Sequence, residues 1–275
     1  MKTRVTLLFC FILLVSQVTV AASAVLPNIG AEAGCVLDVQ NQQFVFEKNF
    51  DSIMYPASTT KIITLLVALE KGDLDSIVSV SPSAAECEGS SLDLVAGDRI
   101  TLRNLLYGMM LVSGNDAAVA VAEHISGSTD EFVELMNGEA RRIGAERTHF
   151  SNPHGLPDPS NHYTTARDLA LITAYAYSIP EFREVVSHVR KQIYFADGHS
   201  REVLNTNRLL KYYDGANGVK TGFTNDAGYC LVAAAKRNGV QLIGVILNSD
   251  SRWEDAASML DYGFQVTKLE DMPKK

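Results

Sequence analysis

Apolar positions change period several times along this chain. Gly34-Cys-Val-Leu-Asp38 and Gln43-Phe-Val-Phe-Glu47 read as two short strands around a polar turn, Gln40-Asn41-Gln42. Ile62, Ile63, Leu65, Leu66, Ala68 and Leu69 then form an apolar helical run, ended by Lys71-Gly72 in the manner of a C-cap. From about residue 80 the texture is helical. Leu102, Leu105, Leu106 and Met109 share one helical spacing, as do Val119, Val121, Ala122 and Ile125. Ser128-Thr-Asp-Glu131 is a capping-box pattern that opens a helix through Phe132, Leu135 and Met136. Thr165-Ala-Arg-Asp168 is a weaker start for a helix through Leu169, Ile172 and Tyr175. Strand texture returns after about residue 188. There Tyr229-Cys-Leu-Val-Ala-Ala and Gln241-Leu-Ile-Gly-Val-Ile-Leu flank Asn238-Gly239, a strong hairpin signal. A last helix spans roughly residues 252–264.

Two early strands, a helical block and three late strands predict a mixed α/β fold. A single antiparallel sheet built from both chain ends is flanked by helices, with a mainly helical subdomain inserted at about residues 80–187. Clefts form where two such units meet.

The first 24 residues stand apart from this pattern. Lys2 and Arg4 precede an apolar run from Leu7 to Val15, and Ala22-Ser23-Ala24 is a small-x-small cleavage site. They read as a signal peptide cut after Ala24, which exports the domain of residues 25–275 to the extracellular or cell-envelope space. The apolar run is short for a membrane span, which needs ~20 residues. Cys10 follows Phe9 rather than a small residue, which speaks against lipid anchoring. The formal charge is −8, and losing Lys2 and Arg4 takes it to −10. An acidic surface argues against nucleic acid as a partner. Cys35, Cys87 and Cys230 remain; the odd count excludes a fully paired disulfide framework. Cys35 and Cys230 lie in apolar strand-like runs and read as buried thiols.

Three short strings carry the candidate chemistry: Ser58-Thr-Thr-Lys61, Ser113-Gly-Asn115 and Lys220-Thr-Gly222. A serine hydroxyl is a weak nucleophile until a base takes its proton. Three residues apart on a helix, Ser58 and Lys61 share a face, so the amine reaches the hydroxyl. The amine acts as a base only when burial and a neighbouring cation drive off its charge. In the first helical turn, Ser58 also sits among free backbone N–H groups suited to an oxyanion. An isolated Ser-x-x-Lys is more often an N-cap serine beside a surface lysine; the two further strings overturn that reading here.

In this order and with these gaps, the strings resemble those of the serine-type D-alanyl-D-alanine carboxypeptidases, the low-molecular-mass penicillin-binding proteins with a β-lactamase/transpeptidase-like fold. The likeness runs from about Gly34 to Phe264. It includes Leu111-Val-Ser-Gly-Asn-Asp-Ala117, Thr148-His-Phe150, His154-Gly-Leu156, Thr165-Ala-Arg-Asp-Leu169 and Gly218-Val-Lys-Thr-Gly222. The resemblance implies Ser58 as nucleophile, Lys61 as general base and Ser113 as the relay of a proton to the leaving amine. Substrate binding falls to Asn115, Lys220, Thr221, Gly222, Phe223 and Arg252. Lys220 would keep Lys61 neutral and, with Thr221, receive the terminal carboxylate; Arg252 would add charge there. The backbone amides of Ser58 and Phe223 would form the oxyanion hole. The implied reaction removes the terminal D-Ala from peptidoglycan stem peptides ending in D-Ala-D-Ala, through a Ser58 acyl-enzyme. β-Lactam antibiotics are the implied covalent inhibitors, and no cofactor or metal is required.

Alternatives on the same fold are a β-lactamase or a DD-endopeptidase; one in another class is a non-catalytic penicillin-sensing module. Fast deacylation in class A β-lactamases uses a Glu-x-x-x-Asn string. Glu134-Leu-Met-Asn137 is one residue short of it, and the position four before Asn137 is Val133. All reactive side chains are present, which disfavours an inert module. Many relatives continue into a β-rich domain and an amphipathic anchor, and no such C-terminal membrane anchor is seen after Lys268. Phe223 stands where some relatives have a polar residue. His149, His154 and His162 lack the second cluster a zinc site needs; His154 is expected to pair with Asp168. Tyr175, Tyr177, Tyr212 and Tyr213 read as packing.

Overall fold

The computed structural model describes residues 24–270. The signal segment therefore lies outside the described residues. β1 (Ala33–Asp38) and β2 (Gln43–Lys48) form the early hairpin. Next come a short 3-10 turn, Ala57–Thr60, and α1 (Lys61–Lys71). β3 (Ile77–Ser79) and β4 (Arg99–Thr101) make a small separate ladder, with the one-turn α2 (Pro82–Ala85) between them. The helical block comprises α3 (Leu102–Leu111), α4 (Asn115–Ser126), α5 (Thr129–Ile143), α6 (Ala166–Ala176) and α7 (Pro180–Ser187). A second small hairpin, β5 (Arg190–Tyr194) and β6 (Ser200–Leu204), and the short α8 (Leu209–Tyr212) follow. β7 (Ala216–Thr224), β8 (Gly228–Arg237), β9 (Val240–Leu247) and α9 (Arg252–Glu270) complete the chain.

The main sheet has the order β2-β1-β9-β8-β7, antiparallel throughout, so early and late strands form one sheet. Alternation decides what each face covers. Cys35, Leu37, Val232, Ala234, Ile243 and Val245 face the main core under the helical block. Val36, Leu231, Ala233, Leu242 and Ile246 face a second core closed by Ala256, Met259 and Leu260 of α9. Both faces are buried, so β8 and β9 read as continuous apolar runs rather than as alternating ones. The β8–β9 turn has Asn238 at φ 50° and Gly239 at φ 90°, as a two-residue primed turn requires.

α1 is buried from Lys61 to Ala68, because α4, α5 and α6 surround it against the sheet. Ser128 and Thr165 cap α5 and α6 through the amides of Glu131 and Asp168. Gly72 ends α1 in an extended conformation, φ −96° and ψ 152°, not the left-handed cap its sequence suggests. Cys35 and Cys230 are buried free thiols, and Cys87 is a half-buried free one. Tyr177 packs as expected, but Tyr212 is exposed.

Candidate active site

The three strings converge where α1, the α3–α4 turn and β7 meet. Ser58 lies in the 3-10 turn just ahead of α1, not in the α-helix itself. Two glycines let other chain segments press on that turn. A Cβ on Gly222 would lie 3.0 Å from the Pro56 carbonyl oxygen and 3.2 Å from the Ser58 nitrogen. A Cβ on Gly155, at φ 94°, would fall 1.9 Å from the Ala57 carbonyl oxygen. Only residues without a side chain permit both contacts. The Lys-Thr-Gly strand and the residue 144–165 loop thus clamp the Ser58 turn from two sides. The loop is itself pinned by a backbone pair between Met54 and Thr164.

Lys61 Nζ lies 3.2 Å from Ser58 Oγ. It donates to Asn115 Oδ1 at 2.7 Å and to the His154 carbonyl at 2.8 Å. A neutral amine has two protons and one lone pair. In that state the two acceptors would take the protons and leave the lone pair for Ser58. Burial pushes the Lys61 pKa well below the ordinary lysine value, and the Lys220 charge adds to that push. Asn115 opens α4, and its Nδ2 donates to the Glu88 carbonyl at 2.7 Å.

Ser113 occupies the α3–α4 turn at φ 68°, a left-handed conformation that costs a non-glycine residue energy. Its hydroxyl is buried and has no hydrogen-bond partner among the described residues. Lys220 is buried in β7 and donates to the Thr221 carbonyl at 3.0 Å. Burial, then the charge of Arg252, lowers its pKa to about 7. Thr221 Oγ1 is 2.6 Å from Thr206 Oγ1. β7 is an edge strand of the main sheet, so one side of its backbone has no strand partner among the described residues. Phe223 is half exposed and packs against Tyr229, with the rings tilted by 33°. Arg252 donates to the Gly222 and Cys230 carbonyls, with its guanidinium over Tyr229 and Trp253.

Some expectations need correction, and some residues carry more than the sequence suggested. His154 does not pair with Asp168. Its Nδ1 accepts from the Leu156 amide, whereas Asp168 Oδ2 accepts from the Arg147 amide and the Thr148 hydroxyl. Asp168 fastens the loop to α6, but at the loop's other end. The sequence offers no sign of what Asp116, next to Asn115, does. Its buried carboxylate accepts from the amides of Leu92, Leu94 and Ala117 and from Ser91 Oγ. It thereby ties down the segment whose Glu88 carbonyl holds Asn115. His162 is likewise structural. Its Nδ1 accepts from the Ser151 amide, so its Nε2 carries the proton towards Thr60 Oγ1 at 2.8 Å. Asn137 clasps the backbone of Phe150 through both its amide groups, and Glu134 is exposed on α5. Neither is set up as a deacylating pair.

Comparisons with known proteins show the family of the chain. A family model described as D-alanyl-D-alanine carboxypeptidase matches residues 18–251. The chain is 34% identical over 256 residues to D-alanyl-D-alanine carboxypeptidase DacF of Bacillus subtilis, covering 89% of this chain and 65% of that one. It is 34% identical over 258 residues to DacB2 of Mycobacterium tuberculosis, covering 91% and 88%. The crystal structure of the Streptomyces K15 DD-transpeptidase superposes with a TM-score of 0.83 at 36% identity, over 88% of this chain and 99% of that one.

Proposed function

Since the chain belongs to the D-alanyl-D-alanine carboxypeptidase family, we propose that it is a serine DD-carboxypeptidase acting on peptidoglycan stem peptides that end in D-Ala-D-Ala. The observation that carries this reading is the buried, doubly anchored Lys61 amine 3.2 Å from Ser58 Oγ. Ser58 loses its proton to Lys61 as its oxygen bonds to the penultimate D-Ala carbonyl carbon. The resulting oxyanion is received by the backbone N–H groups of Ser58 and Phe223. The C–N bond then breaks, and the proton passes through Ser113 to the departing amine of terminal D-Ala. Water, deprotonated in turn, hydrolyses the ester. Lys220 and Thr221 hold the terminal carboxylate, and Arg252 acts through the Gly222 carbonyl. Asn115 keeps Lys61 aimed, and Gly222 lets the strand approach the nucleophile. β-Lactams mimic the acyl donor, but their leaving group stays tethered, so the Ser58 ester persists.

The chain's own features favour this over a β-lactamase, because Glu134 and Asn137 serve other ends. The small-x-small string at residues 22–24 supports export to the cell-envelope space, with processing after Ala24. Intact-mass measurement with benzylpenicillin, followed by peptide mapping, tests the chemistry. The expected result is a stable adduct on Ser58, absent in Ser58→Ala, and Ser58-dependent release of D-Ala from a D-Ala-D-Ala peptide. An adduct that survives Ser58→Ala overturns the assignment.

A further inference from the structure

The segment between β6 and α8 reaches the site by an unexpected route. Asn205 donates to the His188 carbonyl and accepts from the Asn207 amide. Asn207 donates to the Gly218 carbonyl of β7 and accepts from the Leu209 amide. Two asparagines thus lock a tight turn, with one side tied to the end of α7 and the other to the Lys-Thr-Gly strand. Thr206 sits between them. Its amide donates to the Leu111 carbonyl at the end of α3, two residues before Ser113. Its hydroxyl, on an exposed residue, meets the hydroxyl of buried Thr221 at 2.6 Å. One residue therefore links the Ser113 turn to the strand that carries Lys220.

We propose that Thr206 is a positioning residue of the terminal-carboxylate subsite: it donates its hydroxyl proton to Thr221 and so turns the Thr221 proton towards the substrate carboxylate. The inference rests on the DD-carboxypeptidase reading above. Each hydroxyl has one proton to give. With the Thr206 proton spent on Thr221 Oγ1, the Thr221 O–H is directed outward, next to the Lys220 ammonium. Donation into Thr221 also polarises its O–H, which strengthens its bond to an anion. A free carboxylate benefits most, because hydrogen bonds to charged groups are the strong ones. Thr206 thus sharpens the preference for a substrate with a free C-terminus.

The test compares a D-Ala-D-Ala peptide with its C-terminal amide, using wild type, Thr206→Val, Thr206→Ser and Thr221→Val. Thr206→Val should lower kcat/KM for the free peptide about tenfold, mostly through KM, and lower that for the amide about twofold at most. Thr206→Ser should restore the preference. The Thr206→Val/Thr221→Val double variant should lose little more than Thr221→Val alone, because the two hydroxyls act in series. Equal losses on both substrates, or a serine variant as poor as valine, would assign Thr206 a purely structural part and overturn the proposal. Unchanged selectivity in Thr206→Val would overturn it too, while leaving the carboxypeptidase reading intact. A wild-type enzyme that releases D-Ala from neither peptide overturns that reading first, and the inference with it.

Discussion

Lys61 and Lys220 are both fully buried, yet their tasks require opposite charge states. Lys61 must be neutral to take a proton, and it lies where burial and the Lys220 charge both discourage protonation. Arginine cannot deprotonate near neutral pH. Lys61→Arg should therefore slow penicillin acylation by roughly 10²- to 10⁴-fold, the range that a general base supplies. Stopped-flow or mass-resolved acylation rates read this, and a rate near wild type would exclude Lys61 as the base. Lys220 must be charged when the carboxylate arrives, and its pKa is lowered to about 7. It is cationic below that value and neutral above it. The preference for the free peptide over the amide should therefore shrink as pH rises beyond about 7; a flat ratio from pH 6 to 9 would contradict this. Stability runs the opposite way. The unfolded chain holds the Lys220 proton up to the ordinary lysine value of 10.5, so between about 7 and 10.5 it binds more protons than the folded state, and stability rises with pH there. Below about 7 the folded state carries the full cost of a buried cation. Lys220→Met should thus raise Tm at pH 6 while it abolishes turnover. A Tm below wild type would mean that the lysine's bond to the Thr221 carbonyl outweighs its desolvation.

At the scale of elements, the cleft depends on segments with little secondary structure. In the stretch between α2 and β4 the amides of Leu92 and Leu94 and the Ser91 hydroxyl all donate to one carboxylate, Asp116, which also accepts from the Ala117 amide. Asp116→Ala leaves those amides buried without partners. The expected loss is about 3 kcal/mol of stability, with a drop in kcat as the Glu88 carbonyl drifts from Asn115. Urea unfolding and steady-state kinetics on the same preparation would show both effects; an unchanged midpoint would refute the account. This segment also marks a limit of what the sequence revealed. The strings announced Ser58, Lys61, Asn115 and Lys220 because their chemistry demands those residue types. Asp116 and Thr206 act by long-range contact with backbone or with another hydroxyl, and neither leaves a periodic or spaced trace. β3 and β4 are three residues each, too short for alternation to register. The β8–β9 hairpin was legible because two long apolar runs flank Asn-Gly, whose positive φ angles suit it to the turn.

Across the whole molecule, the sheet from both chain ends could be read from the order of strand-like and helical texture, whereas the clamp on the nucleophile could not. That clamp joins α1, β7 and the residue 144–165 loop, and two neutral histidines lie in the loop. Burial, with the Lys61 and His162 charges adding to it, lowers the His154 pKa to about 3. Burial lowers that of His162 to about 4, with Asp158 opposing and His149 and Lys61 reinforcing. Both lie below the ordinary histidine value of 6.5. Between about pH 6.5 and 4 the unfolded chain therefore binds more protons than the folded one, and stability falls as pH falls. Below each folded pKa the loss from that group levels off. His162 cannot take its second proton without giving up the Ser151 amide, since Nδ1 accepts from it. Its protonation therefore opposes the docking of the loop that presents the His154 carbonyl to Lys61. Acid should loosen the nucleophile's surroundings before the sheet melts. Tm measured from pH 7 to 4 should decline, and acylation by benzylpenicillin should decline ahead of it. In His162→Gln, with no proton to gain, the fall in Tm over this range should be shallower than in wild type, because one of the groups that resist protonation in the folded state is gone. A His162→Gln profile parallel to wild type would show that the acid sensitivity arises elsewhere, and that His162 is no part of the clamp's response to pH.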